Sequence, residues 1–346
     1  MKRLYLTPDD LLRVRIGAPL GALGETLLAS RTVQRTRTVL FDGWRSQVAT
    51  TMPENFGVLA DLMPADGCFL DLITPTRGAR TLSDGITALH LASREELRRE
   101  VACAATDSST DGCAQWIRKP PLPSWAAHLP DRDNRTLGEV AAAIESFHSV
   151  AFADRWTHVQ SYLEVAVDRM ARTMATDGVE GLFATLAPYA RWRAPILEVT
   201  CRRPSPDRHL DGRGLVVVPA LFLGTEPILL TSTVDDTAPM TLIVPAIRDR
   251  TDFATAWGPR EPNEALIALL GRTRAAALQE IAEGCSTTEL ARRLGVSPAT
   301  ASEHATILRE AGLIESRRHR NAMRHGVTTL GAALLDGAYD TGLRSA

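Results

Sequence analysis

One glycine constrains this chain more than any other residue. Gly295 lies between two short helix patterns in the run STTELARRLGVSPATASEHATILREAGLIESRRHRNAMRHG, Ser286 to Gly326. Ser286 and Glu289 form a capping box that starts the first helix. Leu290, Ala291 and Leu294 share its inner face, and Val296 plugs the space beyond the turn. Ser297 caps the second helix and Pro298 fills its first position. Small Ala291 lets a second helix cross closely, and four residues later Gly295 enters a backbone conformation that other residues reach only at a cost. This is the pattern of a helix-turn-helix.

With Ala301, Ala305 and Leu308 facing inward, Ala299, Glu303, Thr306 and Glu310 lie on the opposite face, flanked by Thr300 and Ser302. That face is small and polar in its first half, as a helix needs to enter a DNA groove only about 12 Å wide. After Gly312 the spacing predicts two short strands, Leu313 to Arg317 and Met323 to Val327, with a tip at Arg318 to Asn321. Such a hairpin is the wing of a winged helix, and its arginines can reach phosphates and the minor groove. The candidate DNA-binding residues are Ser286, Ser297, Ala299, Thr300, Ser302, Glu303, Thr306, Arg317, Arg318, Arg320, Asn321 and Arg324. The whole chain of 346 residues has a net charge of −2. Between Ser286 and Leu330, however, seven arginines face four glutamates, so the basic footprint is local.

Upstream, Asn263 to Glu283 reads as one helix with Leu266, Leu270, Ala277 and Ile281 inward. The segments LLGRTRAAALQEIAEG and STTELARRLGVSPATASEHATILREAGLI, with the RRHRN wing, resemble the ArsR-type winged-helix transcriptional regulators. The resemblance spans Asn263 to about Gly337. It implies a homodimer on a two-fold DNA operator, often a repressor. The opening MKRLYLTPDDLLRVR has scattered charges and no apolar h-region, so the expected location is the cytoplasm, at the nucleoid. The front part resembles the N-terminal domain of long actinobacterial members. The cysteine pair that metal-sensing members carry on the first helix of the motif is absent from TTELARRL, so no metal and no cofactor is expected. Ala301 and Ala305 stand where the family has bulkier residues. His304 matches a histidine common in the family and is read as packed and hydrogen-bonded.

About 260 residues precede this segment. They read as an α+β body: helices packed on a small antiparallel sheet. Apolar stripes at Val140, Ile144 and Phe147 and at Phe152, Trp156, Val159 and Leu163 predict two helices, followed by a short one from Gly178. ILEVTC, GLVVVPALFL, PILLTS and MTLIVPAI, between Ile196 and Ile247, read as strands, and their short connections favour an antiparallel meander. A proline-rich stretch at 106–135 is a candidate linker. The polar run Arg248 to Pro262 places the domain boundary, giving 1–258 as an N-terminal domain for dimerisation or sensing and 259–346 as the DNA-binding domain. Phe152, Trp156 and Tyr162 are the candidate wall of an effector pocket for a small molecule.

Other classes find little support. No run of about 18 apolar residues exists, so no membrane partner is expected. Five cysteines without C-x-x-C spacing fit neither a disulfide framework nor a zinc knuckle. G-x-S-x-G, H-E-x-x-H, P-loop and dinucleotide fingerprints are all missing. The chain is therefore expected not to be an enzyme. The alternatives kept are an enzyme with a regulatory DNA-binding tail and a metal-independent architectural DNA-binding protein.

Overall fold

The computed structural model describes residues 1–35, 39–66, 69–76, 79–105, 122–131, 135–153, 155–201, 207–257, 264–282, 285–319 and 322–336. The chain divides into two compact units, Met1–Trp257 and Gly258–Ala346.

The first unit runs β1 (Lys2–Tyr5), α1 (Pro8–Leu12), β2 (Arg15–Ile16), α2 (Gly21–Val33), α3 (Asp42–Thr50), α4 (Phe56–Leu62), α5 (Leu82–Leu91) and α6 (Arg94–Ala105). It continues with α7 (Arg135–Phe152), α8 (Trp156–Thr185), β3 (Ala190–Arg193), β4 (Ile196–Val199), β5 (Arg208–His209), β6 (Leu215–Ala220), β7 (Ile228–Leu230), β8 (Met240–Pro245) and α9 (Arg250–Trp257). Thr7 starts α1 through a reciprocal capping box with Asp10. The other carboxylate oxygen of Asp10 accepts from the Gly214 amide at 2.8 Å, which pins α1 to the entry of β6.

The antiparallel meander is not what forms. There are two four-stranded sheets, ordered β3-β4-β1-β5 and β2-β6-β8-β7, and both are mixed. β6 runs parallel to β8, and β7 pairs antiparallel on the far side of β8. The apolar runs record the reason. β8 is buried throughout and β6 nearly so, and a strand covered on both faces shows no alternation. Val218, Ala220 and Ile243 face a core shared with the helices. Leu215, Val217, Leu242 and Val244 face a second core shared with Leu4, Leu197 and Val199 of the other sheet. The unit therefore stacks helices, sheet and sheet.

The short helix expected from Gly178 forms: that glycine is non-helical, with φ 68° and ψ −166°, and separates it from the long helix before it within the span of α8. Two other helical expectations change. The polar run after Arg248 contains α9, whose Phe253 and Trp257 stack at 5.6 Å and pack on the helical core. Within the stretch read as a linker, the described residues 122–131 bury Ala126 and Leu129, while 106–121 and 132–134 lie outside the described residues.

Helix α2 runs through the centre of this unit, with every residue from Gly21 to Thr32 buried. Gly21 has φ 79°, and a Cβ there would sit 1.8 Å from the Ala79 carbonyl oxygen; only glycine admits that approach. Glu25, fully buried, accepts from the amides of Leu221 (3.0 Å) and Phe222 (3.2 Å) just beyond β6. Burial nevertheless pushes its carboxyl up to about 7. Glu100, bonded to the Thr233 hydroxyl at 2.7 Å, is likewise raised to about 7 by burial and by the charge of Asp71. His148, whose Nδ1 lies 2.8 Å from Thr26 Oγ1, is lowered to about 4 by burial.

These shifts oppose one another. The Glu25 contribution is fully present below its ordinary value of 4.5 and is lost as pH rises to about 7. Glu100 runs the same way, whereas His148 removes stability as pH falls below about 6.5. Glu25→Gln deletes the first effect alone. Relative to the parent, the variant should gain on the order of 3 kcal/mol between pH 4.5 and 7.5. Urea unfolding of both proteins at the two pH values measures this difference, and a pH-independent difference would refute it.

Candidate nucleic-acid interface

The second unit runs α10 (Glu264–Leu270), α11 (Arg272–Ala282), β9 (Cys285–Ser286), α12 (Thr287–Leu294), α13 (Pro298–Glu310), β10 (Ile314–His319), β11 (Ala322–Val327) and α14 (Thr329–Asp336). The single helix expected over Asn263 to Glu283 is two helices. Gly271, with φ 81°, redirects the chain between them. An isolated glycine inside an apolar period is tolerated in a helix, so the period alone did not reveal the break.

Helix α12 begins at Ser286, whose Oγ accepts from the Glu289 amide at 3.3 Å. It ends at Gly295 in the left-handed region, φ 66° and ψ 29°. The Val296 amide donates to the Ala291 carbonyl at 3.0 Å and the Gly295 amide to Arg292 at 3.3 Å. This pair of bonds is a Schellman motif. α13 then starts at Ser297, whose Oγ accepts from the Thr300 amide at 3.1 Å. It ends in a second motif of the same kind, with Leu313 donating to Leu308 and Gly312 to Arg309, both at 2.9 Å. Ala291, Ala301, Ala305 and Leu308 are buried in one core with Leu278, Ile281 and Leu290.

The face of α13 turned away from that core exposes Ala299, Ser302 and Glu303, with Thr300 and Thr306 half-buried at its margin. Ser297 is exposed, but its Oγ also bonds Thr300 Oγ1 at 2.8 Å. Immediately past the turn that ends α13, β10 and β11 pair antiparallel from Ile314↔Val327 to His319↔Ala322. Arg317 stands opposite Arg324, and Arg318 opposite Met323. Arg320 and Asn321 lie outside the described residues. Ser286 belongs to β9, which adds to β11 as a third strand, with Ser286 opposite Arg324. The hairpin and the start of α12 are thus one sheet.

Residues 269–317 match the family model of a helix-turn-helix domain. This unit is a helix-turn-helix domain. No curated protein and no solved structure matches the chain. The family match runs from the end of α10 through α13 into β10, and it supports a DNA-binding regulator.

Sequence reasoning missed His325. It is buried, with Nε2 2.9 Å from Thr287 Oγ1 and Nδ1 2.8 Å from Ser316 Oγ. It therefore ties the first turn of α12 to both strands of the hairpin. Burial, with the charge of Arg309 adding, lowers its pKa. Two-residue alternation with Val327 was the available signal, since both point to the inner face. Strand β9 is too short to announce itself by pattern. The expectation for His304 is corrected: its Nδ1 is buried with no hydrogen-bond partner. Arg293 was also overlooked; it bridges Glu289 at 2.7 Å and Glu280 at 3.4 Å, which clips α12 to α11.

Of the two cavities described for this unit, one is lined by Trp156, and neither is lined by Phe152 or Tyr162. Phe152 is wholly buried in an aromatic cluster, 5.4 Å from Phe222 and 5.9 Å from Trp257. Tyr162 donates its hydroxyl to the Ala246 carbonyl at 3.3 Å, and its pKa is pushed up to about 12, mainly by burial. Trp156 alone lines a cavity, of about 450 Å³, beside Gln160, Leu163 and Glu164. Aromatic spacing along one helix does not separate a core face from a pocket face.

Two outcomes follow from this geometry. A Cβ at Gly295 would meet nothing within 4 Å, so Gly295→Ala should cost only the left-handed strain, roughly 1–2 kcal/mol. At Gly331 a Cβ would sit 2.0 Å from the Leu313 carbonyl oxygen, so Gly331→Ala should cost more; urea titration ranks the two, and the reverse order would overturn the assignment. Because the folded pKa of His325 is depressed, its contribution is intact above about pH 6.5 and is lost as pH falls below it. Amide protection factors in α12 and β11, referenced to the intrinsic exchange rate at each pH, should fall below that pH in the parent and not in His325→Gln.

Proposed function

We propose that the chain is a sequence-specific transcriptional regulator of the ArsR-like winged kind, not an enzyme. On this reading α13 enters the major groove and the β10–β11 hairpin is the wing. The protein acts as a homodimeric repressor at the nucleoid, with the N-terminal unit dimerising, sensing a small molecule, or both. The observation that carries the reading is the order of parts. A glycine-turned helix pair is followed at once by an arginine-bearing hairpin whose third strand is the cap of the first helix.

The chemistry divides between the two parts. The exposed first half of α13 has no basic side chain. Glu303 is its one charge, and a carboxylate there would be repelled by phosphates but can accept from a cytosine amino group. Ala299 can lie against a thymine methyl. Affinity then falls to the arginines of the hairpin, which neutralise phosphates.

Fluorescence anisotropy of the full chain tests this on DNA selected from a random library. Arg318→Ala should weaken binding across all sequences and reduce the salt slope by about 1. Glu303→Ala should leave the slope alone and cost about 1–3 kcal/mol of discrimination at one base pair. No preferred sequence from the selection, or the two effects exchanged, would sink the assignment.

A further inference from the structure

Two adjacent arginines of α12 do different things. Arg293 is half-buried and bridges Glu289 of its own helix at 2.7 Å and Glu280 of α11 at 3.4 Å. Arg292 is exposed. Among the described residues its side chain makes no hydrogen bond and no ion pair. The carboxylate three residues before it, Glu289, is held by Arg293. Solvated arginines are common on helix surfaces; the position of Arg292 is what sets it apart.

The two ends of α12 have different neighbours. Its first turn belongs to the hairpin, through Ser286 opposite Arg324 and Thr287 bonded to His325. Its last turn leads into α13, and Arg292 lies there. The Arg292 carbonyl accepts from the Gly295 amide at 3.3 Å, so its backbone is part of the bend. Five residues on, Ser297 caps α13. A Cβ at Gly295 would meet nothing within 4 Å, so the surface beside the bend is open. The exposed start of α13, Pro298, Ala299, Ser302 and Glu303, offers no arginine or lysine and one carboxylate. The one arginine of α13, Arg309, is in its last turn. The hairpin follows that far end of α13 and joins α12 at its first turn. The arginines named so far therefore leave the reading end of α13 without a cation, and the bend sets Arg292 next to it.

We propose that Arg292 contacts a DNA phosphate beside the N-terminal end of α13, so that the helix is held to the backbone from both of its ends. Such a contact carries no base preference; it fixes the register and orientation of the helix on the duplex. It also offsets the repulsion between Glu303 and the phosphates. A guanidinium without an internal partner gives up only water to meet a phosphate and forms strong charge-assisted bonds there, whereas Arg293 would have to leave two carboxylates. The inference rests on the DNA-binding reading of this unit and adds α12 to its contact surface.

The test uses the full chain and the DNA selected above, with anisotropy measured over a salt series. Arg292→Ala should weaken binding roughly fivefold at about 0.15 M salt and reduce the salt slope by about 1. The factor should be the same on the selected site and on its single-base variants, with the melting temperature unchanged. Arg292→Lys should keep most of the affinity, since a point charge serves a phosphate, and Arg292→Glu should lose more than alanine does. Arg293→Ala, which leaves two carboxylates unbridged, is the structural contrast and should lower the melting temperature. If Arg292→Ala upsets the helix, Arg292→Gln, which keeps a stem and removes the charge, decides. The proposal is overturned if the neutral variants bind with the affinity and slope of the parent, if their loss falls on one base pair, or if they lower the melting temperature as Arg293→Ala does. If Arg318→Ala reduces the slope and Arg292→Ala does not, this inference falls and the DNA reading stands. A parent that selects no DNA overturns both.

Discussion

The N-terminal unit depends on a helix that has no outside. α2 is buried on every face, yet it carries Glu25, Thr26, Ser30, Arg31 and Thr32. Buried polar groups left without partners cost about 1–3 kcal/mol each, so such a helix fits only where its surroundings supply partners in register. Thr26 and Ser30 bond back to the carbonyls of Ala22 and Leu27. Glu25 takes the amides of Leu221 and Phe222, and Thr32 donates to the Phe222 carbonyl at 2.8 Å. One turn after β6 is therefore held by two residues almost two helical turns apart. That double hold fixes the helix along its axis as well as about it. The position of α2 in turn delivers Arg31 and Arg35 to the edge where the two sheets meet.

The helix-turn-helix unit is fixed in another way. Its two Schellman turns, at Gly295 and Gly312, are backbone devices, and they set where α13 begins and where the hairpin leaves it. Between them, burial of Ala301 and Ala305 lets α13 settle closely on its neighbours without large interdigitating side chains. His325 and Arg293 then lock the assembly at two places, sheet to α12 and α12 to α11. Because turns and short side chains set the geometry, the outward face of α13 is free of packing duties, and its residues can be chosen for what they meet outside.

This difference explains what could be read in advance. In the second unit the determinants are local: Ser286, Gly295, Ser297, Pro298 and Gly312 each act within about five residues, so the caps, the turn and the hairpin are legible as spacing. The same spacing could not separate α10 from α11, since Gly271 fits inside an apolar period until its φ is known. In the first unit the determinants are distant. β1 pairs with β4 from Lys2↔Val199 to Tyr5↔Ile196, and no period in either segment names its partner. Short connections suggested a meander, but burial on both faces sets β6 and β8 side by side in parallel. The aromatic stripe of Phe152, Trp156 and Tyr162 was visible, whereas a second cavity, lined from β1, α2, β5 and β7 together, had no signature in any one segment.

The placement of charge connects the two units without requiring any contact between them. A chain with 39 basic and 41 acidic residues cannot hold DNA by its mean charge, so any basic site must be made by local excess. One excess lies on the hairpin, where Arg317, Arg318 and Arg324 stand on paired strands; binding of a polyanion there would be strong at low ionic strength and screened as salt rises. Arg31 at the end of α2 is the opposite case: it is only 6% exposed, and salt screens a charge so far out of water much less than one on a surface strand.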